Sequence, residues 1–444
     1  MTPRTFNGAG LSGLLATTLA FAACGDDESS ATRFRVRVEN QGPAFTLAQS
    51  GAFAIPVGAA EAGPIGPDGA YEMTFLGAPG QRFSFATMFV PSNDLFYAPD
   101  GEGIALFDAE GNPVTGDVTA QVELWDAGTE VDQEPGTGMD QVQRQGGAGA
   151  GAMDPNTNVR LAEDAFGNLP DVADVIEVTL AAEDLGNYWQ FTARIANVST
   201  PNTLTTTADT QAVPLSPGVF AVHGGSDPLF TVGSPDRGEG LEAIAEDGTP
   251  TDLAAALDAV TGITLVASPG VWAVTEEGTD LFKLGETDRG DGLEAIAEDG
   301  SPGALAAAVG DALPGAGIFN TPDGAADPGP IGPGGAYEFE VEGLPGQYLH
   351  VVTMFVPSND WLFTFPQVGL SLFDGADPVS GDVSNRLFTI DLGTEVDQPV
   401  GFGLDQVQFQ SGPDTGAADP NTTVREVTDQ PAASSILRVT VTPL

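Results

Sequence analysis

Any chemistry this chain performs has to be carried by carboxylates. Its 444 residues hold 63 Asp and Glu against 14 Lys and Arg, with two histidines and one cysteine. The histidines, His223 and His350, stand opposite Thr275 and Ser84 in the internal repeats described below, so neither recurs in its partner. Without a shared histidine or a second thiol, no nucleophile–base pair can be assembled, and the reading is of a protein that is not an enzyme. Paired carboxylates are the equipment of glycoside hydrolysis, yet among 63 acids chance pairs abound and pairing alone identifies nothing. A formal net charge of −49 repels nucleic acid and anionic headgroups and draws divalent cations. Most of that charge reads as adaptation to salty or extracellular surroundings. The acids that call for a functional reading are those at repeated positions.

Three such segments recur. Residues 84–94 (SFATMFVPSND) match 350–360 (HVVTMFVPSND), 129–133 (TEVDQ) match 394–398, and 154–160 (DPNTNVR) match 419–425 (DPNTTVR). The offsets are 350 − 84 = 266, 394 − 129 = 265 and 419 − 154 = 265, so the register holds almost without insertion, as duplication requires. PGPIGPDGAYE and PGPIGPGGAYE extend the match upstream and set Tyr71 against Tyr337. The first strand obeys another spacing: FRVRVENQ from Phe34 resembles FTARIANVS from Phe191, 157 residues on. A cassette also recurs, SPGVFAVH and GLEAIAEDG at 216 and 240 returning as SPGVWAVT and GLEAIAEDG at 268 and 292, which is 52 residues later. The excess of 265 − 157 = 108 residues is close to two cassettes, 2 × 52 = 104. The expected organisation is therefore a shortened unit at 33–184 and a full unit at 189–444 carrying tandem cassettes at 216–267 and 268–319.

The elements that must position these segments are strands. Phe34, Val36 and Val38 alternate with charged neighbours, as do Leu437, Val439 and Val441 with Ile436, Arg438 and Thr440, and Phe83, Phe85, Thr87 and Phe89 share one face. The 58 glycines and 34 prolines break the chain at short intervals, which predicts short strands joined by turns in an all-β sandwich. Helix is expected only in the cassettes, at 241–246, 253–260, 293–298 and 305–309, with Thr249-Pro250 and Ser301-Pro302 as N-caps. Asp236-Arg237-Gly238-Glu239-Gly240 lacks the spacing of an EF-hand loop. Asp154-Pro155 and Asp419-Pro420 read as turn initiators, and Trp361, Phe363 and Phe365 as core.

Residues 1–23 read as a signal peptide: Arg4, then an apolar run from Leu11 to Ala23 that is too short to span a bilayer. The run ends at Phe21-Ala22-Ala23-Cys24, which resembles the lipobox of bacterial lipoproteins, with Phe21 in place of the usual Leu. Acylation of Cys24 would account for a lone thiol in an exported chain. Residues 24–32 would then be a lipidated tether. The expected location is the cell envelope, at the outer membrane or cell surface, with membrane contact through the lipid alone.

Together, SPGVWAV, GLEAIAEDG, MFVPSNDW and DAGTEVD resemble the spondin N-terminal domain family, above all in Pro357-Ser358-Asn359-Asp360-Trp361 and Trp125-Asp126-Ala127-Gly128-Thr129-Glu130. The resemblance covers 189–444 nearly completely and 33–184 without the cassette. It implies two antiparallel C2-like β-sandwiches in tandem, with short helices in the duplicated cassette of the second. It also implies weak Ca²⁺ binding by Asp94, Asp126 and Glu130 in one copy and by Asp360, Asp391 and Glu395 in the other, with Asp132 and Asp397 as further ligands or charge-balancing neighbours. Glutamate at 130 and 395 departs from the family's aspartate, and so do Leu95 for Trp and Ile390-Asp391-Leu392 for Trp-Asp-Ala. The function implied is a Ca²⁺-dependent surface adhesion or ligand-binding protein whose partner is an extracellular glycan or protein. A lipid-tethered structural spacer and a carboxylate-dependent hydrolase are the alternatives.

Overall fold

The computed structural model describes residues 31–444 apart from Pro314. The leader, Cys24 and most of the tether lie outside the described residues. The chain is built of antiparallel sheets with a few short helices, in agreement with the all-β sandwich expected. Among the described residues, no helix is long and apolar enough to cross a membrane.

In chain order the first strands are β1 (Thr32–Asn40), β2 (Leu47–Phe53), β3 (Ala70–Gly77), β4 (Arg82–Phe89), β5 (Leu95–Pro99) and β6 (Val122–Asp126). Then come β7 (Arg160–Leu161), β8 (Ile176–Asp184), β9 (Trp189–Asn197) and β10 (Leu215–His223), followed by helices α1 (Leu241–Asp247) and α2 (Thr251–Asp258). After β11 (Ala267–Glu276) come α3 (Leu293–Asp299), α4 (Gly303–Ala312), β12 (Ala316–Phe319), β13 (Ala336–Gly343), β14 (Gln347–Phe355), β15 (Trp361–Thr364), β16 (Phe388–Asp391), β17 (Arg425–Glu426) and β18 (Leu437–Pro443).

The strands do not follow the linear division at 184–189. The first sandwich pairs β3–β9–β8 in one sheet and β2–β10–β4–β5–β6–β7 in the other. The second pairs β13–β1–β18 and β12–β11–β14–β15–β16–β17. Both have the same spatial order, but β1 sits in the middle of a sheet of the second sandwich, while β9, its sequence relative, sits in the first. The first sandwich, from β2 to α2, is thus inserted between the opening strand of the second and its remainder. It also runs in permuted order, taking its β1-like strand and its cassette last. This corrects the expected boundaries: each sandwich owns one cassette, so neither is shortened and the 108-residue excess is the displaced cassettes.

Polar anchors hold this crossing in place. Buried Asn40, at the end of β1, donates from Nδ2 to the carbonyls of Leu265 (2.9 Å) and Ile331 (3.0 Å), and Asn197 does the same to Ile65 (3.1 Å) and Val213 (2.7 Å). Where the insertion begins and ends, the Phe45 amide donates to Thr264 Oγ1 at 2.8 Å, which brings the two linkers side by side. On the outer face of β1, Arg33 pairs with Glu340, Arg35 with Glu338 (3.2 Å) and Arg37 with Asp323 (2.8 Å). Such exposed pairs add about 0–1 kcal/mol each, so their main effect is on register. The inner face, Phe34, Val36 and Val38, is fully buried in the second core with Tyr337, Val341, Val439 and Val441.

The helices cover the larger sheets. Leu241, Ile244, Leu253 and Leu257 pack on the first sheet with Phe96 and Trp125, and Leu293, Ile296, Leu305 and Val309 pack on the second with Leu362 and Ile390. Thr249 and Ser301 do not cap α2 and α4, which start without a side-chain cap. Their amides instead close α1 and α3, donating to Ala243 (2.9 Å) and Ala295 (2.9 Å) beyond the left-handed Gly248 and Gly300. Trp361, Phe363 and Phe365 are buried in the second core, as expected.

The inserted topology has a testable consequence. Val36→Ala removes buried methyl groups and should cost roughly 1–3 kcal/mol. Hydrogen exchange should accelerate in 336–343 and 437–443, leaving 70–77 and 176–184 protected. The reverse pattern would restore the linear division.

Candidate metal centre

The candidate site forms where β4 and β6 end and β5 begins. After β4 the chain turns through Val90-Pro91-Ser92-Asn93-Asp94, and Ser92 Oγ closes the turn by donating to the Phe89 carbonyl (2.6 Å) and accepting from the Leu95 amide (3.0 Å). This sets Asp94 directly before β5, fully buried. Leu95 pairs with Asp126, the last residue of β6, so the two carboxylates meet across neighbouring strands. Asp126 Oδ1 accepts from the Gly128 amide at 2.6 Å, and Asp94 Oδ2 accepts from the Thr129 (3.2 Å) and Glu130 (3.1 Å) amides. Gly128 has φ +70°, and a Cβ there would lie 2.8 Å from the Asn158 carbonyl oxygen, so both dihedral and space demand glycine. Asn93 then grips the next segment, donating to the Val131 carbonyl (3.1 Å) and accepting from the Gln133 amide (3.2 Å). Between these contacts lies Asp132.

Asp94, Asp126 and Asp132 each offer one oxygen, all within 4.8 Å of one another. The second sandwich repeats the arrangement with Asp360, Asp391 and Asp397. There Asp360 Oδ2 accepts from Thr394 (3.0 Å) and Glu395 (3.1 Å), Asp391 Oδ1 accepts from Gly393 (2.7 Å), and Trp361 Nε1 donates to Asp397 Oδ1 at 2.9 Å. The tryptophan that replaces Leu95 therefore orients a cluster member.

Glu130 and Glu395 are not brought into these clusters; the third carboxylate comes from Asp132 and Asp397. Glu130 Oε1 accepts from the Gly151 amide (2.6 Å) and Glu395 Oε1 from Gly416 (2.8 Å), which turns both side chains towards a different loop. What separates the two acids is their partners: Glu130 is held by the Gly151 amide, while Asn93, bonded to Val131 and Gln133, fixes the backbone on either side of Asp132. No protein-family model matches the chain, and no curated protein matches it either. The geometry alone therefore carries the reading of the site.

The DPNT segments also reach the clusters. Arg160 contacts Asp126 and, at 2.7 Å, Asp154; Arg425 contacts Asp391, Asp419 (2.7 Å) and Asp397 (3.5 Å). Asp154 and Asp419 do initiate turns, accepting from Asn156 and Asn421 at 2.8 Å, and at the same time hold the arginine. Repetition of an arginine in a chain with 14 basic residues was the signal that could have marked these positions. One guanidinium against four aspartates leaves each cluster with a formal excess of three negative charges when all are ionised.

Burial and like charge shape the acids accordingly. Desolvation pushes the Asp94 and Asp126 carboxyls well up, the charge of Asp126 adding to the effect at Asp94. Burial raises Asp360 to about 6, and burial with the Asp360 charge raises Asp391 to about 7. Asp94 Oδ1 and Asp360 Oδ1 are buried with no hydrogen-bond partner. An oxygen left so costs about 1–3 kcal/mol or more when charged, which a cation would relieve. Carboxylates without His or Cys suit a hard, oxygen-preferring ion. These buried acidic clusters can hold a metal ion.

The histidines hold a different relation from the one their positions suggested. His223 Nε2 lies 2.9 Å from Ser84 Oγ, and His350 Nε2 lies 3.0 Å from Thr275 Oγ1. The repeat keeps a buried His–hydroxyl pair with its members exchanged between adjacent strands. His223 Nδ1 faces the Gly225 carbonyl at 2.5 Å, so no carboxylate orients the ring as a catalytic triad requires. A Cβ at Gly103 would lie 2.5 Å from Ser84 Oγ, which shows how tightly the pair is covered.

In chelator, the pH dependence of stability should report the buried acids. Unfolded aspartate ionises near pH 4, whereas folded Asp360 and Asp391 do so at about 6 and 7. The folded state binds more protons across that window, so these groups make stability fall as pH rises from about 4 to 7. Urea unfolding at pH 4.5, 6 and 7.5 should show this fall, and Asp360→Asn should flatten it. A variant parallel to the parent would mean that burial does not control Asp360.

Proposed function

We propose that this chain is an exported, lipid-anchored surface protein whose two sandwiches bind Ca²⁺ and present cation-ordered loops to an extracellular glycan or protein, without catalysing a reaction. The observation that carries the reading is the duplicated trio of aspartates at one end of each sandwich, each with a buried, unpartnered oxygen. Asp94, Asp126 and Asp132, and Asp360, Asp391 and Asp397, would hold the ions. Ca²⁺ accepts six to eight oxygens in flexible geometry, which suits carboxylates supplied by three separate segments. The cation would neutralise the excess charge and lock the PSND, AGTE and DPNT loops together. Beside the first cluster, Val131 and Met153 are exposed apolar side chains on those loops, a feature suited to contact with a partner. Catalysis is disfavoured by the covered histidine pairs. Export and anchoring rest on the leader and on Cys24.

A second reading is favoured by the arginines. Arg160 and Arg425 already place a cation beside each trio, and if they suffice, the clusters are structural ion networks and the protein is a tethered spacer.

Thermal unfolding of the full chain at 1 mM metal separates the two. A Kd of about 10⁻³ to 10⁻⁴ M predicts about 0.4–1.4 kcal/mol of stabilisation per site from RT ln(1 + [L]/Kd), or a rise in Tm of roughly 1–5 °C. Ca²⁺ should give this rise, Mg²⁺ less, and Asp126→Asn or Asp391→Asn should abolish the share of one sandwich. No rise, or an equal one with Mg²⁺, would leave the spacer.

A further inference from the structure

Among the described residues, a third carboxylate group occurs in the second sandwich alone. Glu294 and Glu298 lie four residues apart on α3 and so share a face. Asp414, from the long loop between β16 and β17, joins them, and each of the three offers an oxygen within 4.8 Å of the other two. Glu298 is only 2% exposed, and its Oε1 has no hydrogen-bond partner. The charged groups that act on Glu298 and Glu294 are all acidic: Glu395, Asp288 and Asp299 beside the trio itself. The Thr394 side chain hydrogen-bonds Glu298, but every charged group that acts on it is acidic, so its unpartnered oxygen has no positive charge to offset burial.

The first sandwich provides the internal comparison. It keeps both glutamates, Glu242 and Glu246 on α1, and Glu246 is equally buried with Oε1 likewise unpartnered. Gly149, however, stands where the 265-residue offset places Asp414. The position faces the helix in both cases, since a Cβ on Gly149 would lie 3.8 Å from Glu246 Oε2. The backbone is left-handed at both, with φ +58° at Gly149 and +51° at Asp414. Glycine takes that conformation freely and aspartate does so at a cost. The second sandwich therefore carries an acid where the backbone favours none.

We propose that Glu294, Glu298 and Asp414 form a separate site for a hard divalent cation, present in the second sandwich and missing from the first because Gly149 supplies no third carboxylate. Its three oxygens come from a helix face and one loop, with Asp414 exposed and Glu294 partly so, and the ion would keep water ligands. This site is distinct from the aspartate clusters and stands whether or not those bind metal.

Titration of the full chain with Mn²⁺, with the free ion followed by electron paramagnetic resonance, tests it. Asp414→Gly should bind one ion fewer per chain than the parent; glycine suits φ near +50°, so this variant keeps the fold. Glu298→Gln should lose the same ion. Asp94→Asn and Asp360→Asn, which probe the aspartate clusters, should leave the Asp414-dependent ion in place, so failure of either reading can be told from failure of the other. An Asp414→Gly chain that titrates identically to the parent would overturn the proposal.

Discussion

A strand in the middle of a sheet cannot be omitted, because its absence would leave two neighbours with unpaired backbone groups on facing edges. In the second sandwich that strand is β1, flanked by β13 and β18, and it reaches the sheet from the far side of an inserted sandwich of more than 200 residues. Much of the architecture follows from this one pairing. The chain must leave the second sandwich after Asn40, complete the first and return beside its point of departure. Asn40, Phe45 and Thr264 join the two crossings there. Phe34, Val36 and Val38 contribute roughly 1.5–3 kcal/mol each by burial, enough to make the pairing obligatory for the second core.

The same constraint explains the arithmetic of the repeats. The first sandwich takes its β1-like strand, β9, and its cassette after its other strands, while the second takes them before. Both arrangements close the same sheets, since sheet closure depends on which edges meet and is indifferent to chain order. The displaced cassettes then appear in sequence as a tandem pair. Each nevertheless packs its helices on its own sheet, α1 and α2 over Phe96 and Trp125, α3 and α4 over Leu362 and Ile390.

At the ends of the sandwiches the fold does something energetically unfavourable twice. It gathers aspartates at buried strand ends, where desolvation and mutual repulsion oppose ionisation. Amides from the glycine turns, at Gly128 and Gly393, and one arginine per cluster offset part of that cost. What is not offset is an oxygen of Asp94 and of Asp360. Structural ion networks in proteins are normally completed by their own donors, and the incompleteness is the feature that sets these clusters apart. It recurs at Glu298, where no basic group helps at all.

By itself the sequence determined the local and the duplicated features. Alternation in β1, β4 and β18 stated which side chains are buried, since a strand's two faces are read directly from a period of two. The repeats located Asp94, Asp126, Asp132 and their counterparts, because duplicated acids stand out where most acids are solvent-facing. Tertiary structure decided the rest. A strand's pattern specifies its buried face but not the sheet it joins, so only long-range pairing assigned β1 to the second sandwich. Equally, residue spacing along a turn does not say where a side chain aims: Glu130 is taken up by the Gly151 amide of another loop, and Asp132 completes the cluster. Compensation across strands, as in the exchanged His–hydroxyl pairs, is invisible to position-by-position comparison because it exists only between neighbours in space.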